Sequence, residues 1–208
     1  MSTSAPLSDR IDAVVIGGSA GAVEALCGLL PFVPATIRVP ILMVLHLPRD
    51  RPSLLEEVFS PRCACPIREA QDKDPIEPGT VYVAPPDYHL LVEPGPQVSL
   101  SVDEVIHFSR PSIDVLFESA ADFYRDRVLG IILTGANEDG AEGLAAIQRA
   151  GGIVVVQSPR DAQASAMLKA AMNRSPSALV LSLADIASLL RTLEPDPAPA
   201  APRNPEDQ

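Results

Sequence analysis

The chain has 208 residues, 47% of them apolar, and this length suits one domain with a substantial core. Its 16 basic and 27 acidic side chains give a formal net charge of −11, which disfavours binding to nucleic acid or to an anionic membrane surface. No apolar run approaches the roughly 18 residues needed for direct membrane insertion. The polar first ten residues lack the order of an export signal, and the cysteines number only three, so we expect a cytoplasmic protein with reduced thiols.

Short buried runs alternate with helical stretches along most of the chain, which is typical of a parallel sheet with helices on both faces. The runs 89–94 and 97–102 are joined by Pro-Gly-Pro and predict an antiparallel hairpin. The predicted fold class is therefore α/β, a doubly wound, mostly parallel, Rossmann-like sheet with an antiparallel hairpin insertion. We predict strands at 11–18, 39–48, 80–86, 128–135, 153–157 and 178–182, and helices at 22–30, 52–59, 110–126, 139–151, 161–172 and 183–193.

The two ends of the chain differ from this pattern. We expect residues 1–10 to be a flexible N-terminus and 11–193 to form the globular domain. Residues 194–208 are rich in proline and acidic side chains and contain no large apolar residue, which predicts a disordered tail.

The first predicted strand ends in Gly17-Gly18-Ser19-Ala20-Gly21, a G-x-S-x-G sequence at a strand-to-helix junction. Small neighbours let the chain turn sharply and present the Ser19 hydroxyl, while N–H groups at the start of the next helix can hold an oxyanion. Turns of this kind also bind phosphate groups, or bind nothing. The motif alone therefore leaves open a nucleophile, a phosphate cradle and a plain tight turn.

The second predicted strand carries His46 near its end. A dinucleotide-binding fold of the NAD type prefers an acidic residue there, and its absence disfavours a Rossmann-like nucleotide binder. Because the carboxyl ends of parallel strands meet at one edge of the sheet, His46 could take the proton of Ser19. The structural alternative is a strand-end histidine bonded to the backbone.

Asp139 follows the strand 128–135 and precedes a predicted helix. Taken alone it is typical of a helix N-cap. Taken with His46, its carboxylate could orient the imidazole and stabilise the imidazolium that forms when Ser19 attacks. Glu138 is a rival for this acid. The order Ser-His-Asp differs from that of α/β-hydrolases, so the residues indicate a serine hydrolase of another topology.

Five separated segments between residues 11 and 190 resemble the catalytic domain of the CheB family, the chemotaxis protein-glutamate methylesterases. They read VVIGGSAGAVEAL, LMVLHLP, GTVYVAPPDYHLLV, RPSIDVLFESAA and GIILTGANEDGAEGLAAIQRAGGIVVVQ. The resemblance implies hydrolysis of glutamate γ-methyl esters on the cytoplasmic helices of chemoreceptors, releasing methanol, with deamidation of glutamines as a further activity. It implies no metal or organic cofactor.

By position, the resemblance makes Ser19 the nucleophile, His46 the base and Asp139 the acid. It implies oxyanion donors at Ala20 and near Ala136, and Gly21 belongs to the same binding region. It also decides for Asp139 over Glu138.

The sequence departs from the family pattern in several places. Ala22 stands at a common glycine position, which is tolerable where the residue is helical. Ala136 stands where methionine is usual, and Ser109 where histidine often precedes Arg-Pro-Ser. Only about ten residues precede the first strand, so we expect an esterase domain without a receiver, controlled by a separate receiver or chemosensory protein. The alternative function is a catalytically inactive signalling or binding module of the same fold.

Overall fold

The computed structural model describes residues 7–47 and 53–194 of the protein. Residues 1–6 of the predicted flexible N-terminus and the predicted tail after Glu194 lie outside the described residues. So do the last residue of the predicted strand 39–48 and the first residue of the predicted helix 52–59. Within the described ranges, no helix is long and apolar enough to cross a bilayer.

Seven parallel strands form the main sheet, and two antiparallel strands form a separate hairpin, which confirms the predicted fold class. The strands are β1 (Ala13–Gly18), β2 (Ile41–Leu45), β3 (Ile67–Glu69), β4 (Val81–Val83), β5 (His89–Glu93), β6 (Gln97–Ser101), β7 (Val128–Ile132), β8 (Ile153–Gln157) and β9 (Leu179–Leu181). The helices are α1 (Leu7–Arg10), α2 (Ala22–Leu29), α3 (Leu55–Phe59), α4 (Ile113–Tyr124), α5 (Ala141–Arg149), α6 (Ala166–Arg174) and α7 (Leu183–Arg191).

The sheet has the order β3-β4-β2-β1-β7-β8-β9, so β1 lies at its centre. The chain builds outward from β1 to one side and then returns to continue with β7 on the other side. Such a reversal opens a crevice at the carboxyl ends of the strands, where ligands bind in open α/β sheets.

Alternating side chains of the central strands pack into two apolar layers, because both faces of a parallel sheet are covered by helices. Val14 and Ile16 of β1 face the layer beneath α2, α3 and α7. Ala13 and Val15 face the opposite layer, which contains α4, α5 and α6. This packing holds the ends of β1, β2 and β7 as one rigid edge.

Several boundaries differ from the predictions. β3 was not predicted at all, since its three residues show no periodicity and it is defined by pairing with β4. Helix α6 begins at Ala166 rather than at 161. The preceding residues form a loop instead, in which the Ala164 carbonyl accepts hydrogen bonds from the Gly135 N–H and the Thr134 hydroxyl.

Candidate active site

Backbone hydrogen bonds extend the register of the sheet beyond the ends of its central strands. The His46 N–H donates to the Gly18 carbonyl at 3.2 Å, and the Ser19 N–H donates to the Thr134 carbonyl at 2.9 Å. The segments that carry Ser19 and His46, together with the loop after β7, are therefore fixed side by side at one edge.

The structure joins two of the three predicted side chains directly. Nε2 of His46 lies 2.7 Å from Oδ2 of Asp139. The histidine side chain is 11% exposed and the aspartate side chain is fully buried. A short, largely desolvated contact of this kind fixes both the orientation and the tautomer of the imidazole, because Nε2 must carry the proton that it shares with the carboxylate.

Asp139 accepts three further hydrogen bonds, all from the start of α4. The Ser112 hydroxyl and the Asp114 N–H donate to Oδ1 at 2.7 and 3.1 Å, and the Ile113 N–H donates to Oδ2 at 2.7 Å. Burial by itself raises the pKa of Asp139, but the hydrogen bonds from His46, Ile113 and Ser112 outweigh it and lower the pKa below its ordinary value. The carboxylate is thus held ionised at the positive end of a helix.

Asp139 therefore caps α4 rather than the helix that follows it in the chain. The residue that precedes α5 is Gly140, with φ of +93°. In return, Asp114 of α4 accepts a 2.7 Å hydrogen bond from the Gly143 N–H in the first turn of α5. The two helix starts are thus tied to each other by two buried carboxylates.

Asp114 is also buried, but fewer hydrogen bonds stabilise its carboxylate than stabilise that of Asp139. Desolvation raises its pKa to about 6, and the nearby charge of Asp139 adds to the increase, although the Gly143 N–H opposes it. Nε2 of His107 lies 3.6 Å from Oδ2 of Asp114. The pair connects the base of α4 to an exposed turn at the rim of the site.

The second ring nitrogen of His46 faces other partners. The Ser109 hydroxyl lies 3.3 Å from Nδ1, and Nδ2 of Asn137 lies 3.5 Å from it. Both distances are long for hydrogen bonds, so these contacts are weak. Because Nε2 is committed to Asp139, Nδ1 is the nitrogen that remains able to accept a proton.

Ser19 is half-buried immediately after β1. Among the residues that the structure describes, its hydroxyl makes no hydrogen bond, and none joins it to His46. The structure thus brings His46 and Asp139 into contact. Ser19 lies at the end of the neighbouring strand β1, and its hydroxyl has no hydrogen bond among the described residues.

Predicted oxyanion donors lie in the loops after β1 and β7. Ala20 and Ala136 are exposed, and within the described ranges neither their N–H groups nor that of Gly21 has a hydrogen-bond acceptor. Gly21 has φ of +82°, and a Cβ there would lie 2.3 Å from Oε1 of Gln163. Glycine is therefore required for this turn both by its backbone conformation and by the side chain packed over it.

Ala22 stands at the position where a second glycine is common in the motif. It is the first residue of α2, has helical backbone geometry and is fully buried. Its methyl group packs beside Gly18, and a Cβ added to Gly18 would lie 2.6 Å from the methyl carbon of Ala22. A second glycine is therefore unnecessary at this position.

The remaining polar residues have structural surroundings. His89 is buried, with its Nδ1 accepting from the Ser112 N–H and its Nε2 donating to the Glu104 carbonyl, both at 3.1 Å, which fixes a neutral tautomer. Glu138 is exposed and makes no hydrogen bond to His46 among the described residues. No group of three His, Cys, Asp or Glu side chains within those residues could hold a metal ion.

Sequence reasoning missed Ser112, Asp114 and Ser109 as members of the site. Ser112 and Asp114 belong to the Arg-Pro-Ser-Ile-Asp segment, residues 110–114, which resembles a segment that borders the family's site but to which the sequence assigned no chemical step. Ser109 lies just before that segment and stood out only as a departure from the usual histidine.

The comparisons with known proteins agree in family. A family model described as CheB methylesterase matches residues 14–190. A Leptospira interrogans protein, provisionally named a protein-glutamate methylesterase/protein-glutamine glutaminase, is 44% identical over 88% of this chain and 95% of its own length. A Caulobacter vibrioides protein-glutamate methylesterase/protein-glutamine glutaminase is 37% identical, and the match covers 85% of this chain and 52% of that relative. The crystal structure of the Thermotoga maritima CheB methylesterase catalytic domain matches with a TM-score of 0.83 and 28% identity, over 88% of this chain and 98% of that one.

Proposed function

This chain belongs to the CheB methylesterase family, and we propose that it hydrolyses glutamate γ-methyl esters on a protein substrate, releasing methanol, and deamidates glutamine side chains at the same site. The observation that carries the proposal is the 2.7 Å contact between His46 and the buried Asp139, at the edge of the sheet that also presents Ser19. Acyl transfer requires a base and a nucleophilic hydroxyl, and a histidine held by a buried carboxylate at the same sheet edge as a serine supports that assignment.

In the proposed mechanism, Oγ of Ser19 attacks the γ-carbonyl carbon while Nδ1 of His46 takes the hydroxyl proton. The imidazolium that forms is stabilised by Asp139, and it passes the proton to the departing methoxide, leaving an acyl-enzyme on Ser19. Water activated by the same nitrogen then releases the glutamate carboxylate. The N–H groups of Ala20 and Ala136 hold the oxyanion of each tetrahedral intermediate.

We propose the cytoplasmic helices of methylated chemoreceptors as the substrate, and hence a cytoplasmic location. This part of the proposal rests on the family to which the chain belongs.

The experiment is to incubate the protein with a methylated chemoreceptor cytoplasmic fragment and to measure methanol. Ser19→Ala and His46→Ala should each reduce methanol release to near background. Ser188→Ala, on the exposed face of α7, is the matched serine control and should release methanol at the wild-type rate. A wild-type protein that releases no methanol would instead support the inactive binding module.

Labelling with a fluorophosphonate probe tests the nucleophile independently of the substrate. The wild-type protein and Ser188→Ala should be labelled, whereas Ser19→Ala should not. Unchanged labelling of Ser19→Ala would disprove the assignment of the nucleophile.

A further inference from the structure

An exposed apolar segment lies at the rim of the candidate site. We call residues 102–109 the rim loop. Four of its side chains are large, apolar and exposed, and Phe108 at its tip is 96% exposed; the others are Val102, Val105 and Ile106. Contiguous apolar exposure of this kind marks an interaction surface more often than single exposed residues do.

The rim loop is attached directly to the histidine of the site. Its last residue, Ser109, places its hydroxyl 3.3 Å from Nδ1 of His46. The His107 carbonyl lies 3.4 Å from Nδ2 of Asn137, which itself approaches the same imidazole. A polypeptide that places a glutamyl side chain at Nδ1 must therefore pass beside this loop.

The tip of the loop has a backbone conformation that is unfavourable for its residues. Ile106 and Ser109 exchange two backbone hydrogen bonds at 3.1 and 2.8 Å, and between them His107 and Phe108 have φ of +47° and +62°. A two-residue hairpin turn with both φ values positive ordinarily contains Asn-Gly. An exposed phenylalanine there adds nothing to the core, and strained residues of this kind occur at functional sites.

Polar contacts hold the rim loop in this shape. Nη1 of Arg110 donates to the Val102 and Asp103 carbonyls at 2.7 and 3.0 Å, closing the loop at its base. The same guanidinium donates to Oδ1 of Asp87 through Nε and Nη2, at 3.1 and 2.9 Å. The ring of Phe108 is thus presented on a braced support.

A cleft of about 500 Å³ separates the tip of the loop from α6. His107 and Phe108 line one wall, and a single face of α6 lines the other, with residues spaced as i, i+3, i+4 and i+7: Ala166, Lys169, Ala170 and Asn173. Lys169 and Glu138 both line the cleft and carry opposite charges. The shape and apolar surface of the cleft therefore determine what binds there more than its net charge does.

We propose that the rim loop and this cleft dock the helix of the protein substrate, and that Phe108 determines specificity by packing on an apolar side chain of that helix near the esterified glutamate. The inference rests on the proposed function. The occupant is the substrate because Ser109, the last residue of the loop, lies 3.3 Å from Nδ1 of His46, the nitrogen that acts on the ester in the proposed mechanism.

The test compares steady-state methanol release from the methylated receptor fragment by the wild type, Phe108→Ala, Phe108→Leu and Leu179→Ala. Phe108→Ala should raise KM about tenfold with kcat within about threefold of the wild type, since the removed ring contributes binding rather than chemistry. Phe108→Leu should recover part of the loss. Leu179→Ala removes an exposed apolar side chain from the edge strand β9, and its KM should equal that of the wild type.

A second variant separates the ring from the shape of the loop. Phe108→Gly should unfold at a higher temperature than Phe108→Ala, because glycine adopts positive φ without strain, and its KM should nevertheless stay raised. A wild-type KM for either variant overturns the inference, as does a wild-type dimer that Phe108→Ala converts to monomer. Absence of methanol release by the wild type would instead mark failure of the proposed function.

Discussion

Replacing Asp139 by asparagine tests the central contact of the site. One carboxylate oxygen becomes an NH₂ group that can donate but not accept. In the structure each oxygen faces a backbone N–H, that of Ile113 at Oδ2 and that of Asp114 at Oδ1. Either orientation of the amide therefore leaves one backbone donor facing another donor.

The less costly orientation places the NH₂ group at the Oδ1 position. The Ser112 hydroxyl can turn there and accept, and the amide oxygen keeps its contacts with His46 and Ile113. The Asp114 N–H is left unsatisfied, which costs about 1–3 kcal/mol of unfolding free energy. The imidazolium also loses an opposite charge, worth about 4 kcal/mol at an effective dielectric constant of 20, or roughly a thousandfold in kcat.

The opposite orientation is worse for turnover, because an NH₂ group facing Nε2 forces the proton onto Nδ1 and removes the base. We therefore expect Asp139→Asn to lower kcat by about a thousandfold or more, measured as methanol release, with unfolding followed in urea. Glu138→Gln changes the neighbouring, exposed carboxylate and should lower kcat far less. A kcat for Asp139→Asn within tenfold of the wild type, or a larger loss for Glu138→Gln, would refute this reasoning.

Two further predictions concern stability. Gly140→Ala should lower the free energy of unfolding by about 2–5 kcal/mol, because φ is positive and the added methyl group would lie 2.6 Å from Ile132 and 2.7 Å from Ile113. Gly95→Ala, with φ of +98° and open space around it, should lose only about 1–2 kcal/mol, and equal losses in urea would contradict the packing argument. The pKa of about 6 for Asp114 means that the folded state binds this proton more tightly than the unfolded state, so the contribution of Asp114 to stability falls as the pH rises from about 4 to 6. Thermal and urea unfolding of Asp114→Asn should therefore show its stability, relative to the wild type, improving by up to about 3 kcal/mol between pH 4 and pH 7, and a difference independent of pH would argue against it.

Much of the sheet could be predicted because its signals are local. β1, β7 and β8 are apolar runs bounded by glycine or polar residues, and Pro-Gly-Pro between two short runs predicts the hairpin. β3 could not be predicted, because a strand of three residues exists only through its pairing with β4. There the guanidinium of Arg68 lies 4.8 Å from the ring centroid of Tyr82, a contact that no local pattern indicates.

The candidate site shows the same division. Ser19 and His46 could be located because they follow strands that end at one edge. Choosing Asp139 over Glu138 from the residues alone was impossible, since the two are adjacent and only the fold buries one and exposes the other. Ser112 lies 27 residues from the carboxylate that it contacts, and its role depends on how α4 is packed.

Buried carboxylates cap the starts of both α4 and α5, so an acid at position 139 is not by itself evidence of catalysis. Because Asp139 satisfies the first turn of a buried helix, a descendant of this chain that had lost all turnover would still be under selection to keep it. The Ser19 hydroxyl has no comparable hydrogen bond among the described residues, and drift could remove it without cost to the fold. In surveys of such domains, the serine is therefore the better marker of an enzyme that still works, and the aspartate is a marker of the scaffold.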